Sequence, residues 1–160
     1  MIYKTATIKD LENIIQMKNE VKQRIIQKNL PIWLEDYPTD DLIKEDIEHG
    51  FGRIILEDQE IVGYASLYPA ISDYPSQTFS EEDLYSFGRV MVKYEGRHFA
   101  SYLVDSMIEE IRKMKKRGIG ILVDACNEAA VRLYKKYGFS KIGERQFPYA
   151  YLDIYELLFS

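Results

Sequence analysis

The stretch Val90-Met91-Val92-Lys93-Tyr94-Glu95-Gly96-Arg97-His98-Phe99-Ala100-Ser101 decides how this chain is read. An apolar strand ends, a turn with one glycine follows, and a helix opens. The first backbone N–H groups of a helix have no partners inside it, and the helix dipole adds partial positive charge at that end. Such a junction is a ready anion site. Gly96 lets the backbone approach a phosphate closely, and Arg97 and Lys93 can add charge. An ordinary strand–helix turn that contains a glycine fits the same residues, so this stretch alone leaves both readings open.

Downstream of the turn, Phe99, Leu103, Met107, Ile108, Ile111 and Met114 mark one face of a long helix. Its end is basic (Lys113, Lys115, Lys116, Arg117), and Gly118 follows as the expected C-cap. Ile119–Ala125 reads as a short buried strand. Asn127 caps a further helix with Ala130, Leu133, Tyr134 and Tyr137 facing inward, ended by Gly138. Two strands remain, about 139–144 and 149–158.

Upstream, Tyr85–Val92 is a strand preceded by a long loop over 69–83, which holds Pro69 and Pro75. Loops of that length are often functional. Gly52–Leu56 and Ile61–Leu67 form a hairpin around the polar turn Glu57-Asp58-Gln59-Glu60. A helix fits 40–49, opened by Thr39 or Asp40 and closed at Gly50. Another runs from Thr7 or Asp10 to about Asn29, with Leu11, Ile14, Met17, Val21 and Ile25 at helical spacing. Residues 2–7 are β-like. The order is β-α-α-β-β-β-α-β-α-β-β. A helix between two strands of one sheet implies a parallel crossover, while the hairpins are antiparallel. The expected fold is a mixed α/β sheet with helices on both faces.

A second informative stretch is Asn127-Glu128-Ala129-Ala130-Val131-Arg132-Leu133-Tyr134-Lys135-Lys136-Tyr137-Gly138-Phe139. Taken singly, Asn127 is a helix cap and Tyr134 a half-buried aromatic. One crossover helix and one strand separate this stretch from the glycine turn, which brings the two strand ends side by side. Together they resemble the GNAT superfamily of N-acetyltransferases. Its glycine turn, Gln/Arg-x-x-Gly-x-Gly/Ala, aligns with Lys93-x-x-Gly96-x-His98. Its later motif, Asn-x-x-Ala-x-x-Leu-Tyr-x-x-x-Gly-Phe, is matched throughout by Asn127, Ala130, Leu133, Tyr134, Gly138 and Phe139. The resemblance covers nearly the whole chain, as one domain over 1–160.

The resemblance implies a mainly antiparallel sheet with one parallel, splayed strand pair, acetyl-CoA as cosubstrate, and acetyl transfer to the amine of a small molecule or peptide. The pyrophosphate would sit on the amides of Gly96, Arg97, His98, Phe99, Ala100 and Ser101. The pantetheine arm would pair with the backbone of Val90, Met91 and Val92, in the splay beside Ile119–Ala125. Asn127 would touch the cofactor, and Tyr134 would protonate the departing thiolate. A phenol, with its ordinary pKa near ~10, carries the proton this needs at neutral pH. Candidates for the base that takes the amine proton are Asp124, Glu81 to Asp83, Glu144 and ordered water.

Acceptor recognition is expected from the first two helices and the long loop. Trp33-Leu34-Glu35-Asp36-Tyr37-Pro38 interleaves aromatics with acids, which makes Trp33, Glu35 and Tyr37 the candidate acceptor contacts, with a core anchor the equal reading of Trp33. From residue 35 to 60 ten acids face two bases, which would favour an acceptor carrying a cation, although a solvated helix face accounts for the same excess.

Composition narrows the alternatives. The chain has 160 residues and a formal charge of −5, so no general footprint for nucleic acid is expected. No apolar run approaches membrane-spanning length, and no signal-like stretch opens the chain, so neither a membrane role nor export is expected and the cytoplasm is the simplest location. Cys126 is the single cysteine and there are two histidines, so no zinc-type metal site is expected. Cys126 is expected to be a buried, inert thiol. No Ser-His or Cys-His pairing suggests a covalent intermediate, which points to direct attack by the amine. A non-catalytic acyl-CoA-binding module on the same fold is the competing reading, and a homodimer is compatible with either.

Overall fold

The computed structural model describes residues 1–70 and 78–160. β1 (Ile2–Thr5) leads through one 3-10 turn at Ile8–Asp10 into α1 (Leu11–Gln27). The Asp10 carboxylate accepts from the Thr7 backbone N–H at 2.8 Å, which fixes the entry to the helix. Ile14, Met17 and Val21 form the buried stripe of α1. Asn29 ends the segment in the left-handed region, with φ 55. α2 (Asp40–Glu48) is capped by Thr39, whose hydroxyl accepts from the Leu42 N–H at 3.0 Å.

β2 (Gly52–Glu57), β3 (Glu60–Pro69), β4 (Leu84–Val92), α3 (Phe99–Lys113), β5 (Gly118–Val123), α4 (Glu128–Lys136), β6 (Ser140–Gln146) and β7 (Tyr151–Leu158) complete the order. The strands make one sheet, β1-β2-β3-β4-β5-β7-β6. Pairing is antiparallel at β1–β2, β2–β3, β5–β7 and β6–β7. It is parallel at β4–β5, where Leu84 faces Gly118 and Tyr85 faces Ile119. The mixed sheet is the one the element order implied, and its mainly antiparallel pairing with one parallel pair is what the resemblance implied.

The described residues fall into two compact units. The first holds Met1–Leu67 and Gly88–Met107, and the second Tyr68–Phe87 and Ile108–Ser160. The first is built on Ile14, Met17, Val21, Ile43, Ile47, Ile54, Tyr64 and Met91, with Trp33 packed at its margin. In the second, Phe79, Leu84 and Ile154 cluster. Gly120 gives Phe79 its place: a Cβ there would lie 2.6 Å from the phenyl ring.

Several boundaries differ from the sequence expectation. α3 stops at Lys113, Lys115 turns left-handed with φ 60, and Gly118 opens β5 rather than capping the helix. Its missing side chain answers a close strand approach, because a Cβ would sit 2.4 Å from the Leu157 carbonyl oxygen. β5 ends at Val123, two residues before Ala125. On α4 only Tyr134 is buried, and Ala130, Leu133 and Tyr137 are half-buried. The centre of the expected 69–83 loop, residues 71–77, lies outside the described residues.

Candidate functional site

The glycine turn begins where β4 ends. Gly96 has φ 71, and an added Cβ would meet nothing within 4 Å. The glycine is therefore required by conformation, and its backbone faces open space. His98, exposed, repeats the left-handed conformation with φ 61. Phe99 anchors the start of α3 in the core at 2% exposure, and Ala100 and Ser101 continue its first turn. Met91 is buried in the core, so only its backbone can serve a ligand, while Val90 and Val92 are half-buried.

A residue from α1 fixes this turn. The Arg24 guanidinium donates to the carbonyls of Lys93 (2.9 Å) and Val92 (2.8 Å), and its Nε lies 3.0 Å from Glu95. Lys28 reaches the same carboxylate at 2.6 Å. Hydrogen bonding from Lys28 and the charge of Arg24 hold the Glu95 carboxyl below the usual range. Nothing in the linear sequence marked Arg24, because its partners lie far along the chain. The two cations expected at the turn also have partners: Lys93 pairs with Glu60 at 2.9 Å and Arg97 with Glu57 at 3.1 Å.

In the second unit, Asn127 caps α4, its Oδ1 accepting from the Ala130 N–H at 3.4 Å. Tyr134 is 6% exposed and sits in an aromatic cluster, 5.7 Å from Phe87 and 5.8 Å from Phe139 between ring centroids. Its hydroxyl has no hydrogen-bond partner among the described residues. Burial, and secondarily Tyr68, push its ionisation well above the ordinary phenol range, so it keeps its proton. The Cys126 thiol donates to Asp124 at 2.7 Å, and burial together with that carboxylate pushes its pKa up to about 11. Cys126 is thus a protonated thiol at neutral pH, though half-buried rather than fully enclosed.

The base candidates are mostly engaged. Asp124 accepts from Cys126, Glu81 lies 3.4 Å from Arg117, and Asp83 lies 3.1 Å from Lys116. Glu144 accepts from Lys141 at 2.9 Å and Tyr151 at 2.7 Å, and these bonds hold its carboxyl below the usual range. Ser80, Glu81, Glu82, Asp83 and Arg117 line an open depression of about 430 Å³.

The 33–38 segment is folded tightly. Trp33 (φ 50) and Glu35 (φ 56) are both left-handed, and the Tyr37–Pro38 peptide is cis. Trp33 meets Tyr37 edge-on at 6.5 Å. Lys22 donates to the carbonyls of Glu35 (2.7 Å) and Tyr37 (2.6 Å). Glu35 and Tyr37 are exposed and Trp33 is half-buried. Below this segment, Arg89 makes a two-point pair with Asp46, both contacts at 2.8 Å, and Tyr64 donates to Asp46 at 2.9 Å. Arg89 also reaches the Tyr37 hydroxyl at 3.4 Å. The acidic excess of 35–60 is therefore partly spent within the fold. Asp40 pairs with Lys18, Asp46 with Arg89, Glu57 with Arg97 and Glu60 with Lys93.

A mixed sheet with one parallel pair, and a left-handed glycine turn between β4 and α3, frame the site. The chain belongs to the GNAT acetyltransferase family: the profile described as Acetyltransferase (GNAT) family matches residues 19–139. Its fold is similar to a GNAT-family acetyltransferase from Streptococcus agalactiae 2603, with TM-score 0.85 and 16% identity over 99% of this chain and 95% of that one. It is also similar to a ribosomal-protein-alanine N-acetyltransferase from Brucella melitensis (TM-score 0.69, 22% identity, 99% and 100% covered). A third similar structure is a GNAT-family acetyltransferase from Brucella melitensis in complex with acetyl-CoA (TM-score 0.67, 16% identity, 99% and 88% covered).

Proposed function

We propose that the protein is an acetyl-CoA-dependent N-acetyltransferase that moves the acetyl group directly onto an amine of a small-molecule or peptide acceptor. The observation that carries this reading is the turn at Gly96 and His98. Two left-handed residues lead into the N-terminus of α3, and beyond its chain neighbours nothing lies within 4 Å of where a Gly96 side chain would stand. Backbone amides at a helix start are what a pyrophosphate needs. Gly96 through Ser101 form that cradle. Val90–Val92 offer main-chain groups to the pantetheine arm, apart from the Val92 carbonyl, which Arg24 already holds.

The cosubstrate supplies an acetyl group activated as a thioester. Tyr134 supplies the proton: its hydroxyl gives its hydrogen to the departing sulfur as the amine nitrogen takes the carbonyl carbon, and the phenolate left behind regains a proton from solvent. Asn127 opens the helix that carries Tyr134 and is the further cofactor contact. Trp33, Glu35 and Tyr37 form the acceptor side, and water relays the amine proton to solvent. The similarity to a ribosomal-protein-alanine N-acetyltransferase puts an alanine of a ribosomal protein among the acceptors to screen.

The test is a melting-temperature shift with acetyl-CoA, followed by thiol release across a panel of amines. Acetyl-CoA should raise the melting temperature, because a ligand that binds only the native state stabilises it. Tyr134→Phe should lower turnover ~10²–10⁴-fold while changing the shift little. A shift without thiol release for any amine would favour the binding-module reading. Wild-type turnover in Tyr134→Phe, with chemistry limiting the rate, would remove the proton-donor role.

A further inference from the structure

The turn's own two cations, Lys93 and Arg97, are engaged by one hairpin end. Lys93 Nζ lies 2.9 Å from the Glu60 carboxylate, which also accepts from the Tyr94 hydroxyl at 2.9 Å. Arg97 Nη2 lies 3.1 Å from Glu57, with its guanidinium over the Tyr94 ring at 5.1 Å. Glu57 and Glu60 face each other across the two-residue β2–β3 turn, whose central residues Asp58 and Gln59 have φ 51 and 68. Such a turn fixes the strand register. It sets two like charges directly opposite, an arrangement that destabilises a hairpin unless cations compensate it. Lys93 and Arg97 are those cations. The same contacts pull the Glu60 carboxyl below its ordinary range and raise Lys93 above its own.

We infer that Glu57 and Glu60 determine how tightly the glycine turn holds a phosphorylated cosubstrate, by competing with its phosphates for Arg97 and Lys93. The inference rests on the proposal that acetyl-CoA binds at Gly96. The Arg97–Glu57 contact is a single nitrogen–oxygen approach between partly exposed groups, and such pairs are weak. A phosphate offers a guanidinium two parallel hydrogen bonds and more charge. Phosphate therefore takes Arg97, and the displaced carboxylates remain nearby and repel it. Lys93 yields less readily, because Glu60 is held by two donors. The hairpin end thus weakens anion binding without touching the reacting atoms.

Glu57→Gln and Glu60→Gln remove the charges and keep the side-chain size. Glu60 is exposed and Glu57 half-buried at the hairpin turn, and circular dichroism verifies folding. Binding is read by calorimetric titration with acetyl-CoA and, separately, with inorganic pyrophosphate, with Glu12→Gln as a charge-matched control on α1. Each variant should bind acetyl-CoA about three- to ten-fold more tightly at low salt, with the control unchanged. The gain should shrink at about 0.5 M salt, where exposed charges are screened within a few ångströms. Equal or weaker binding by both variants, with wild type binding normally, overturns the inference and leaves the cosubstrate reading standing. Tighter pyrophosphate binding in the variants without acetyl-CoA binding by any of the proteins supports the inference and overturns that reading. No binding of either probe by any of the proteins overturns both.

Discussion

His98 occupies the left-handed region at φ 61, in a position where the family's turn has glycine or alanine. That conformation costs a residue with a Cβ roughly 1 kcal/mol or more. Gly and Ala therefore part ways as replacements. His98→Gly should match or exceed wild-type stability and keep or tighten acetyl-CoA affinity, because relieved backbone strain offsets the added unfolded-state entropy. His98→Ala should be about 1 kcal/mol less stable than His98→Gly, since Ala gains no freedom at positive φ. Chemical denaturation of both variants decides it, and equal stabilities would show that the turn relaxes to suit its residue. A strong loss of acetyl-CoA affinity in His98→Gly would mean that the imidazole itself meets the cofactor. The sequence exposed the departure from the motif at His98, but only the backbone angle shows that the position is still glycine-like. Arg24 and Arg89 were silent in the sequence for a different reason. Their meaning lies in partners many residues away, the carbonyls of Val92 and Lys93 and the carboxylate of Asp46.

Element ends followed local chemistry wherever a cap made them. Thr39 and Asn127 each accept from a backbone N–H three residues on, so α2 and α4 start where the sequence put them. The end of α3 failed that logic. Gly118 looked like a helix stop because a basic turn precedes it, yet it belongs to β5, against the Leu157 backbone. Gly118→Ala should therefore act as a strand mutation. A Cβ 2.4 Å from a carbonyl oxygen cannot be absorbed by rotating a side chain, so β5 and β7 must separate locally. A loss of about 2–4 kcal/mol in unfolding free energy is expected, more than a glycine-to-alanine change at a helix end would give. Amide exchange should speed up along Ile119–Val123 and their β7 partners. Unchanged stability would return Gly118 to the role of a helix terminator.

At the scale of the whole molecule, acid should weaken the fold through carboxylates paired with cations, of which Glu60 and Glu95 bridge distant segments and Glu144 pairs within β6. Glu60, Glu95 and Glu144 are all held below their ordinary range by hydrogen bonds from lysines. A lowered folded-state pKa stabilises the native protein above the unfolded value, near ~4.3, and that contribution is lost as pH falls through the folded value. The urea midpoint should therefore be level near neutrality and fall below about pH 4.3. Glu95→Gln should make that fall shallower, since Arg24 and Lys28 then have no titrating partner there. A midpoint that stays level down to pH 3 would contradict the pairing.

The sequence by itself determined the order of elements, most of their boundaries and the two motifs that resemble the family. These rest on local physics: hydrophobic period, helix caps and the freedom of glycine. Tertiary structure alone decided which charges are spent within the fold. It set Arg24 on the turn, turned Glu57 and Glu60 toward Arg97 and Lys93, and sank Asp46 beneath Arg89. An acidic stretch reads the same whether its carboxylates face solvent or a cation from another strand, because charge pairing depends on distances that only the folded chain creates.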